Sequence, residues 1–259
     1  MIDQTIAAKL GEEIANARKS GNQCHPSLPE AAPDMADAMV VQAEAFAAFG
    51  SPSIGWKVGA TNDAAQANFG ISSPFYGPMA YAGQVEPGAT IAKSDTVMAV
   101  EPEYAFKMAR DYPANGEAIS VETLTDAVAS CHIAIEVIGR CIGAADFQNG
   151  IGLTMDFAGN AAFTAGAEVP NWAEKDLADV PVTGLVDGEE VAKGSGAAVL
   201  GSPINSLQWL AEQLAASGKQ LKAGDFISTG TCTAPIPAKA GQTVTARFGT
   251  FGEVSVSFS

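Results

Sequence analysis

Val97-Met98-Ala99-Val100-Glu101-Pro102-Glu103-Tyr104-Ala105-Phe106 lies inside a longer strand candidate running from Thr96 to Met108. Side chains of a strand point alternately to its two faces. Met98, Val100, Pro102, Tyr104 and Phe106 therefore share one face, and Glu101 and Glu103 share the other beside Ala99 and Ala105. The first face suits a core. The second sets two carboxylates side by side among small residues, where they repel unless something positive sits between them. A solvent-facing strand carrying two ordinary acids is the other reading of the same pattern.

A third acid bears on that choice. Ile133-Ala134-Ile135-Glu136-Val137-Ile138 is an apolar run with one embedded carboxylate, the pattern of a strand buried on both faces. A buried carboxylate is costly unless paired or coordinated. A partner such as Arg140 or a lysine would satisfy Glu136. The sharper reading groups Glu101, Glu103 and Glu136 around one divalent ion. An all-oxygen set with room for water suits Mg²⁺ or Mn²⁺, and Ca²⁺ less well.

Lys57, in Gly55-Trp56-Lys57-Val58-Gly59, lies between an aromatic residue and glycines. It either snorkels to solvent or is partly buried, where it can shuttle a proton or anchor an anion. Asp156, in Met155-Asp156-Phe157-Ala158-Gly159-Asn160, either caps a turn or orients a water or Lys57. The run Ser228-Thr229-Gly230-Thr231-Cys232-Thr233 is either a turn or a loop that offers N–H and O–H donors to a carboxylate. Cys232 reads as a structural thiol, and His25 and His132 as loop and core histidines.

The whole chain frames this cluster. It has 259 residues, 47% hydrophobic and 17% charged, which excludes a disordered acidic tail. A formal charge of −15, from 14 Lys and Arg against 29 Asp and Glu, argues against nucleic acid and anionic membrane surfaces. No run approaches the roughly 18 apolar residues of a membrane span. The start lacks a secretion signal, and the four scattered cysteines contain no C-x-x-C pair. The expectation is a cytoplasmic protein with reduced thiols. An acidic protein that takes a small anion must neutralise its own field locally.

Residues 1–50 read as a small helical segment. Ile6, Leu10 and Ile14 form a stripe, the second helix spans roughly Asp34 to Phe49, and a Gly21-to-Pro33 break containing Pro26, Pro29 and Pro33 separates them. Residues 51–259 read as a mixed β domain, in one structural unit with the first. A helix is expected from Val121 to Ala129, a hairpin turn at Asp187-Gly188, and an amphipathic helix carrying Ile204, Leu207, Leu210 and Leu214. The region from Gly150 to Val191 reads as strands and turns.

Five ordered motifs span nearly the whole chain: Gly55 to Thr61, Val100 to Phe106, Ile135-Glu136-Val137, Val199-Leu200-Gly201-Ser202-Pro203-Ile204-Asn205, and Leu221 to Asp225 with Thr229-Gly230-Thr231. Together they resemble the 2-keto-4-pentenoate hydratases and 4-oxalocrotonate decarboxylases of the fumarylacetoacetate hydrolase superfamily. The resemblance implies an α+β fold, a mixed β-roll with a helical N-terminal part, and homo-oligomeric assembly. It implies metal ligation by Glu101, Glu103 and Glu136, an active-site lysine at Lys57, and a nearby acid at Asp156. The turn at Gly230 and Thr231 would line the pocket. The hydratases often carry an acid where Tyr76 stands, which makes Tyr76 a candidate substrate-binding residue. Two further departures are Glu136-Val137-Ile138-Gly139-Arg140, where the hydratases often read Glu-x-x-Asp-Ser-Arg, and Ser202, where they often carry His. These changes bear on the substrate rather than on the class of chemistry.

The implied reaction is hydration of a 2-hydroxy-2,4-dienoate to a 4-hydroxy-2-oxo acid in the catabolism of aromatic compounds. Either Lys57 or Asp156 would move the proton. Decarboxylation of a 2-oxo-3-enedioate comes next, and an extra Arg or Lys at the far end of the pocket would favour it. C–C hydrolysis of an acylpyruvate ranks third, because only two histidines are present to activate water. A non-catalytic keto-acid binding protein ranks last. The partner in each case is a small 2-oxo acid.

Overall fold

The computed structural model describes residues 1–27, 34–143 and 149–259. Pro29 and Pro33 of the expected break lie outside them. The first helix, α1 (Gln4–Ser20), starts where the Asp3 side chain accepts from the Thr5 and Ile6 N–H groups, and it ends at left-handed Gly21. The second, α2 (Met35–Phe49), is capped by Asp34 and closed by Gly50. Leu10 and Ile14 are buried as expected, but Ile6 is 40% exposed and Ala7 takes its place. The reason is the close crossing of α2. A Cβ at Gly11 would come within 2.7 Å of the Ala45 backbone nitrogen, so small residues line this contact.

Among the described residues twelve strands follow, with four more α-helices between them. In chain order they are β1 (Ser53–Gly59), α3 (Asp63–Phe69), β2 (Phe75–Ala80), β3 (Thr90–Ile91), β4 (Val97–Met108), α4 (Val121–Ala127), β5 (Val128–Gly139) and α5 (Asn149–Met155). The second half comprises β6 (Asn160–Glu168), β7 (Pro181–Val186), β8 (Glu189–Ser195), α6 (Pro203–Ala216), β9 (Phe226–Thr231), β10 (Ile236–Pro237), β11 (Thr243–Phe248) and β12 (Glu253–Phe258). One sheet runs β2-β1-β9-β4-β5-β6, with β10 also on β4, and the other runs β3-β12-β11-β7-β8. Pairings β1–β9 and β12–β3 are parallel, and the rest are antiparallel. The chain is α+β, with mixed sheets and a helical N-terminus, as the sequence predicts.

Tyr104 and Phe106, from the core face of β4, join Ile133 and Ile135 of β5, Val244 and Phe248 of β11, and Leu207, Leu210 and Leu214 of α6 in one buried cluster. Burying each such side chain contributes roughly 1.5–3 kcal/mol. A second cluster joins Leu10, Ile14, Ala38, Val41 and Ala45 of α1 and α2 to Cys141, Ile142, Met155 and Phe157. It docks the helical segment beside the far end of β5.

Three local features depart from the sequence reading. Helices α3 and α5 were not expected. Each has seven residues, too short for a clear 3.6-residue stripe, and α5 contains Gly150 and Gly152, poor helix formers. Met98 is half-exposed rather than buried with Val100, because the β4–β5 register shifts between Val97 and Ala99.

Candidate metal centre

Glu101 of β4 lies directly opposite Glu136 of β5, and Glu103 follows two residues along on the same face of β4. The central strands of the larger sheet thus bring three carboxylates together, with one oxygen from each within 4.8 Å of the others. Glu103 and Glu136 are fully buried. Glu101 borders a cavity of about 700 Å³.

The surroundings fix two of these carboxylates and leave an oxygen spare on each. Glu103 Oε2 accepts from Ser228 Oγ at 2.6 Å and from the Gly230 N–H at 2.8 Å, while its Oε1 has no hydrogen-bond partner. Glu136 Oε1 accepts from Asn160 Nδ2 at 2.9 Å, and its Oε2 has only the ion pair with Lys57 Nζ at 3.2 Å. Lys57 comes from β1 and is buried. It donates to the Ala158 carbonyl at 3.0 Å and lies 5.7 Å from the centre of the Phe75 ring.

One lysine against three carboxylates leaves a formal charge of +1 − 3 = −2 on these buried groups. Electrostatics record the strain of that excess. Burial, and then the nearby Glu136, push the Glu101 carboxyl up to about 7, although Lys57 pulls the other way. Burial, with Glu136 and Glu101, pushes Glu103 well above the carboxylate range. Burial opposes the charge on Lys57, but the facing Glu136, Glu101 and Glu103 outweigh it and hold the ammonium above its ordinary value. A divalent cation cancels the deficit, and the unpartnered oxygens of Glu103 and Glu136 offer it lone pairs. With no thiol or imidazole in this group of candidate ligands, it fits a hard ion such as Mg²⁺ or Mn²⁺.

Gly230 has a structural duty here. Its φ is +112°, and a Cβ would lie 2.5 Å from Thr61 Oγ1. Gly230→Ala is expected to cost about 1–3 kcal/mol in backbone strain and to weaken metal binding, because its N–H orients Glu103. Thermal melts with and without Mg²⁺ check this. The metal-induced rise in melting temperature should be smaller in the variant than in the parent.

The other expected residues divide. Thr231 lines the cavity, and its hydroxyl donates to the Thr233 carbonyl at 2.9 Å. Gly230 serves Glu103 rather than the cavity wall. Asp156 is not brought to the metal cluster. Its carboxylate is buried against the Arg18 guanidinium, and it accepts from the Cys141 N–H at 2.6 Å and the Ile142 N–H at 3.3 Å. Tyr76 points away from the cavity. Its ring packs edge-on between Trp56 and Trp209, at 5.8 and 6.0 Å. Its neighbour Phe75 faces the cavity instead, because adjacent strand residues take opposite faces. His132 is held by Ser130 at 2.9 Å and the Gly166 carbonyl at 3.1 Å, and no histidine among the described residues lines the cavity. Cys232 is buried and free, at the cavity wall.

Three residues escaped the sequence reading. Phe75 was given no role. Asn160 was quoted but given no role. Arg18 carried only the signal of a basic residue off its helix's apolar stripe.

Similar proteins carry the same arrangement of the chain. Residues 58–258 match the fumarylacetoacetate (FAA) hydrolase C-terminal family. A 2-keto-4-pentenoate hydratase from Paraburkholderia phymatum is 32% identical, covering 99% of this chain and 97% of the relative. A 4-oxalocrotonate decarboxylase from Pseudomonas sp. (strain CF600) is also 32% identical, with the same coverage of 99% and 97%. Among solved structures, a 4-oxalocrotonate decarboxylase from Pseudomonas putida G7, complexed with magnesium and adipate, superposes with a TM-score of 0.89 at 29% identity. It covers 100% of this chain and 99% of its own.

Proposed function

The chain belongs to the fumarylacetoacetate hydrolase C-terminal family, and from that premise we propose that it is a divalent-metal-dependent hydratase of a 2-hydroxy-2,4-dienoate. The observation that carries this reading is the group of three carboxylates, two of them with a buried oxygen that accepts no hydrogen bond, beside a buried, charged lysine. Glu101, Glu103 and Glu136 would hold Mg²⁺ or Mn²⁺. Such an ion supplies Lewis-acid polarisation of a 2-oxo oxygen and charge compensation for the substrate's carboxylate.

The chain's own residues do the rest. Phe69, Phe75, Ile138 and Leu153 give the cavity apolar walls for the carbon skeleton. Thr231 and Thr233 line the same cavity, and each hydroxyl could turn to a substrate oxygen by giving up its bond to the Thr233 or Ala234 carbonyl. Lys57, held charged by its carboxylate neighbours, is a proton donor at Nζ. It can protonate C5 of the dienol as the 2-hydroxyl loses its proton, which yields the 2-oxo-3-enoate. Water then adds at C4 and a proton at C3, giving the 4-hydroxy-2-oxo acid. Asp156 acts as a positioning residue. It anchors the turn whose Ala158 carbonyl receives Lys57.

Decarboxylation of a 2-oxo-3-enedioate is the second reading, because a relative of equal identity bears that name. Acylpyruvate hydrolysis falls behind both, for want of a histidine on the described cavity wall. Glu101→Gln is expected to lower Mg²⁺ affinity roughly 10–100-fold or more and to lower turnover with it. Loss of dienol absorbance followed against Mg²⁺ concentration checks this. A variant that stays fully active without metal contradicts the reading.

A further inference from the structure

The four cysteines are all free, and the metal chemistry uses none of them. Cys131 and Cys232 lie in the main core, where neither has exposed surface and burial pushes both thiols up. Cys24 and Cys141 are placed differently. Cys24 follows α1 and Cys141 follows β5, 141 − 24 = 117 positions apart in the chain, and the fold sets them side by side.

Their backbones are already joined. The Cys24 N–H donates to the Cys141 carbonyl at 2.7 Å, and the Gly143 N–H donates to the Cys24 carbonyl at 2.9 Å. These two bonds form a short parallel bridge between Cys24 and Ile142. Chains paired in this way lie roughly 4.7–4.9 Å apart, within the roughly 4.4–6.8 Å that separates the Cα atoms of a disulfide. The side chains meet as well. A hydrogen bond with the Cys141 side chain holds the Cys24 thiol below its ordinary value, although burial opposes it. The same bond, with burial and the nearby Asp156, pushes Cys141 up, and the Cys141 thiol donates to Asp156 Oδ1 at 3.2 Å. The pair is therefore unequal. Cys24 is the readier thiolate, and the thiolate is the nucleophile. A small oxidant has two approaches. Gln23 and His25, on either side of Cys24, are exposed. A cavity of about 240 Å³, away from the carboxylates, is lined by Cys141 with Gly21, Phe49 and Ser94.

We propose that Cys24 and Cys141 are a modification site, a thiol pair that a hydroperoxide oxidises to a disulfide fastening the helical segment to the end of β5. The Cys24 thiolate attacks one oxygen of the hydroperoxide and the O–O bond breaks. Cys24 becomes a sulfenic acid, and the departing oxygen takes up a proton and leaves as an alcohol, or as water from hydrogen peroxide. The Cys141 sulfur then attacks the Cys24 sulfur and gives up its proton, an S–S bond forms, and water leaves. The two thiols lose two electrons and the peroxide gains them. The bond closes the same junction that Arg18, just before Cys24 in the chain, spans through Asp156, which also accepts from the Cys141 N–H at 2.6 Å. Because the backbone bonds are in place beforehand, only the two side chains need to turn.

Treatment of the reduced full-length protein with a few equivalents of hydrogen peroxide, followed by non-reducing peptide mass mapping, tests this. Free thiols should fall from four to two. A cross-linked peptide carrying Cys24 and Cys141 should appear, from protein that runs as a single chain on a non-reducing gel, and dithiothreitol should reverse it. The oxidised protein should melt roughly 4–16 °C above the reduced one, the shift expected of a disulfide that closes a long loop. Cys24→Ser should lose both the cross-link and the shift. Four free thiols after peroxide overturn the proposal, as does oxidation that stops at a Cys24 sulfinic acid, or a cross-link through Cys131, Cys232 or a second chain. A Cys24–Cys141 disulfide that leaves the melting temperature unchanged or lower overturns the fastening.

Discussion

Lys57→Met is expected to lower kcat by roughly 10²–10⁴-fold, the contribution of a positioned general acid, while the Mg²⁺-loaded protein stays folded. Methionine fills much of the lysine's volume, so packing against Phe75 and Ala158 is largely kept. What goes is the ammonium 3.2 Å from Glu136 and the proton at Nζ. In Mg²⁺ the three carboxylates would still be compensated. Without it they would face one another with no positive charge between them, so the variant should melt well below the parent in chelator and near it in excess Mg²⁺. Steady-state kinetics paired with melts in both conditions check the two halves. A variant with parental kcat removes Lys57 from the chemistry. A variant that melts equally far below the parent with and without Mg²⁺ shows that the loss is one of folding.

Arg18→Ala should cost about 3–5 kcal/mol of stability, the usual effect of leaving a buried charge unpaired. For a chain of this size each kcal/mol lowers the melting temperature by roughly 2–4 °C. The Arg18 guanidinium pairs with the Asp156 carboxylate, donates to the Asp156 and Asn160 carbonyls at 2.6 Å each, and lies 4.2 Å from the Phe157 ring centre. It thereby locks a turn in which Phe157 and Ala158 both adopt positive φ, at 54° and 53°. That turn presents the Ala158 carbonyl to Lys57 and leads into Asn160, which holds Glu136. The helical segment thus reaches the turn beside the metal centre through Arg18, together with Phe46 and Phe49 packed on Phe157. Loss of Arg18 should raise the Mg²⁺ requirement for turnover as well as lower stability, and a purely structural role would change stability alone. An unchanged melting temperature contradicts the account of the pair.

What the sequence could convey followed from local period. Glu101 and Glu103 are two residues apart on a strand, so their shared face was legible, and an isolated acid in the apolar run around Glu136 announced a compensated burial. Lys57 stood out by its neighbours. Long-range pairing was not legible. Asp156 finds its partner 138 residues away, in Arg18, and no spacing rule links a turn acid to the first helix. Tyr76 was singled out by the resemblance alone, and because adjacent strand residues take opposite faces it is Phe75 that lines the cavity while Tyr76 packs against Trp56 and Trp209. Met98 followed the period until a register shift moved it.

The central claim is that Glu101, Glu103 and Glu136 jointly hold a divalent cation. Crystals grown with Mn²⁺ and measured near the manganese absorption edge test it most directly. The account predicts one dominant anomalous peak enclosed by these three carboxylates, lost in Glu136→Gln crystals. Dominant density elsewhere, or no peak at that position at millimolar Mn²⁺, contradicts it.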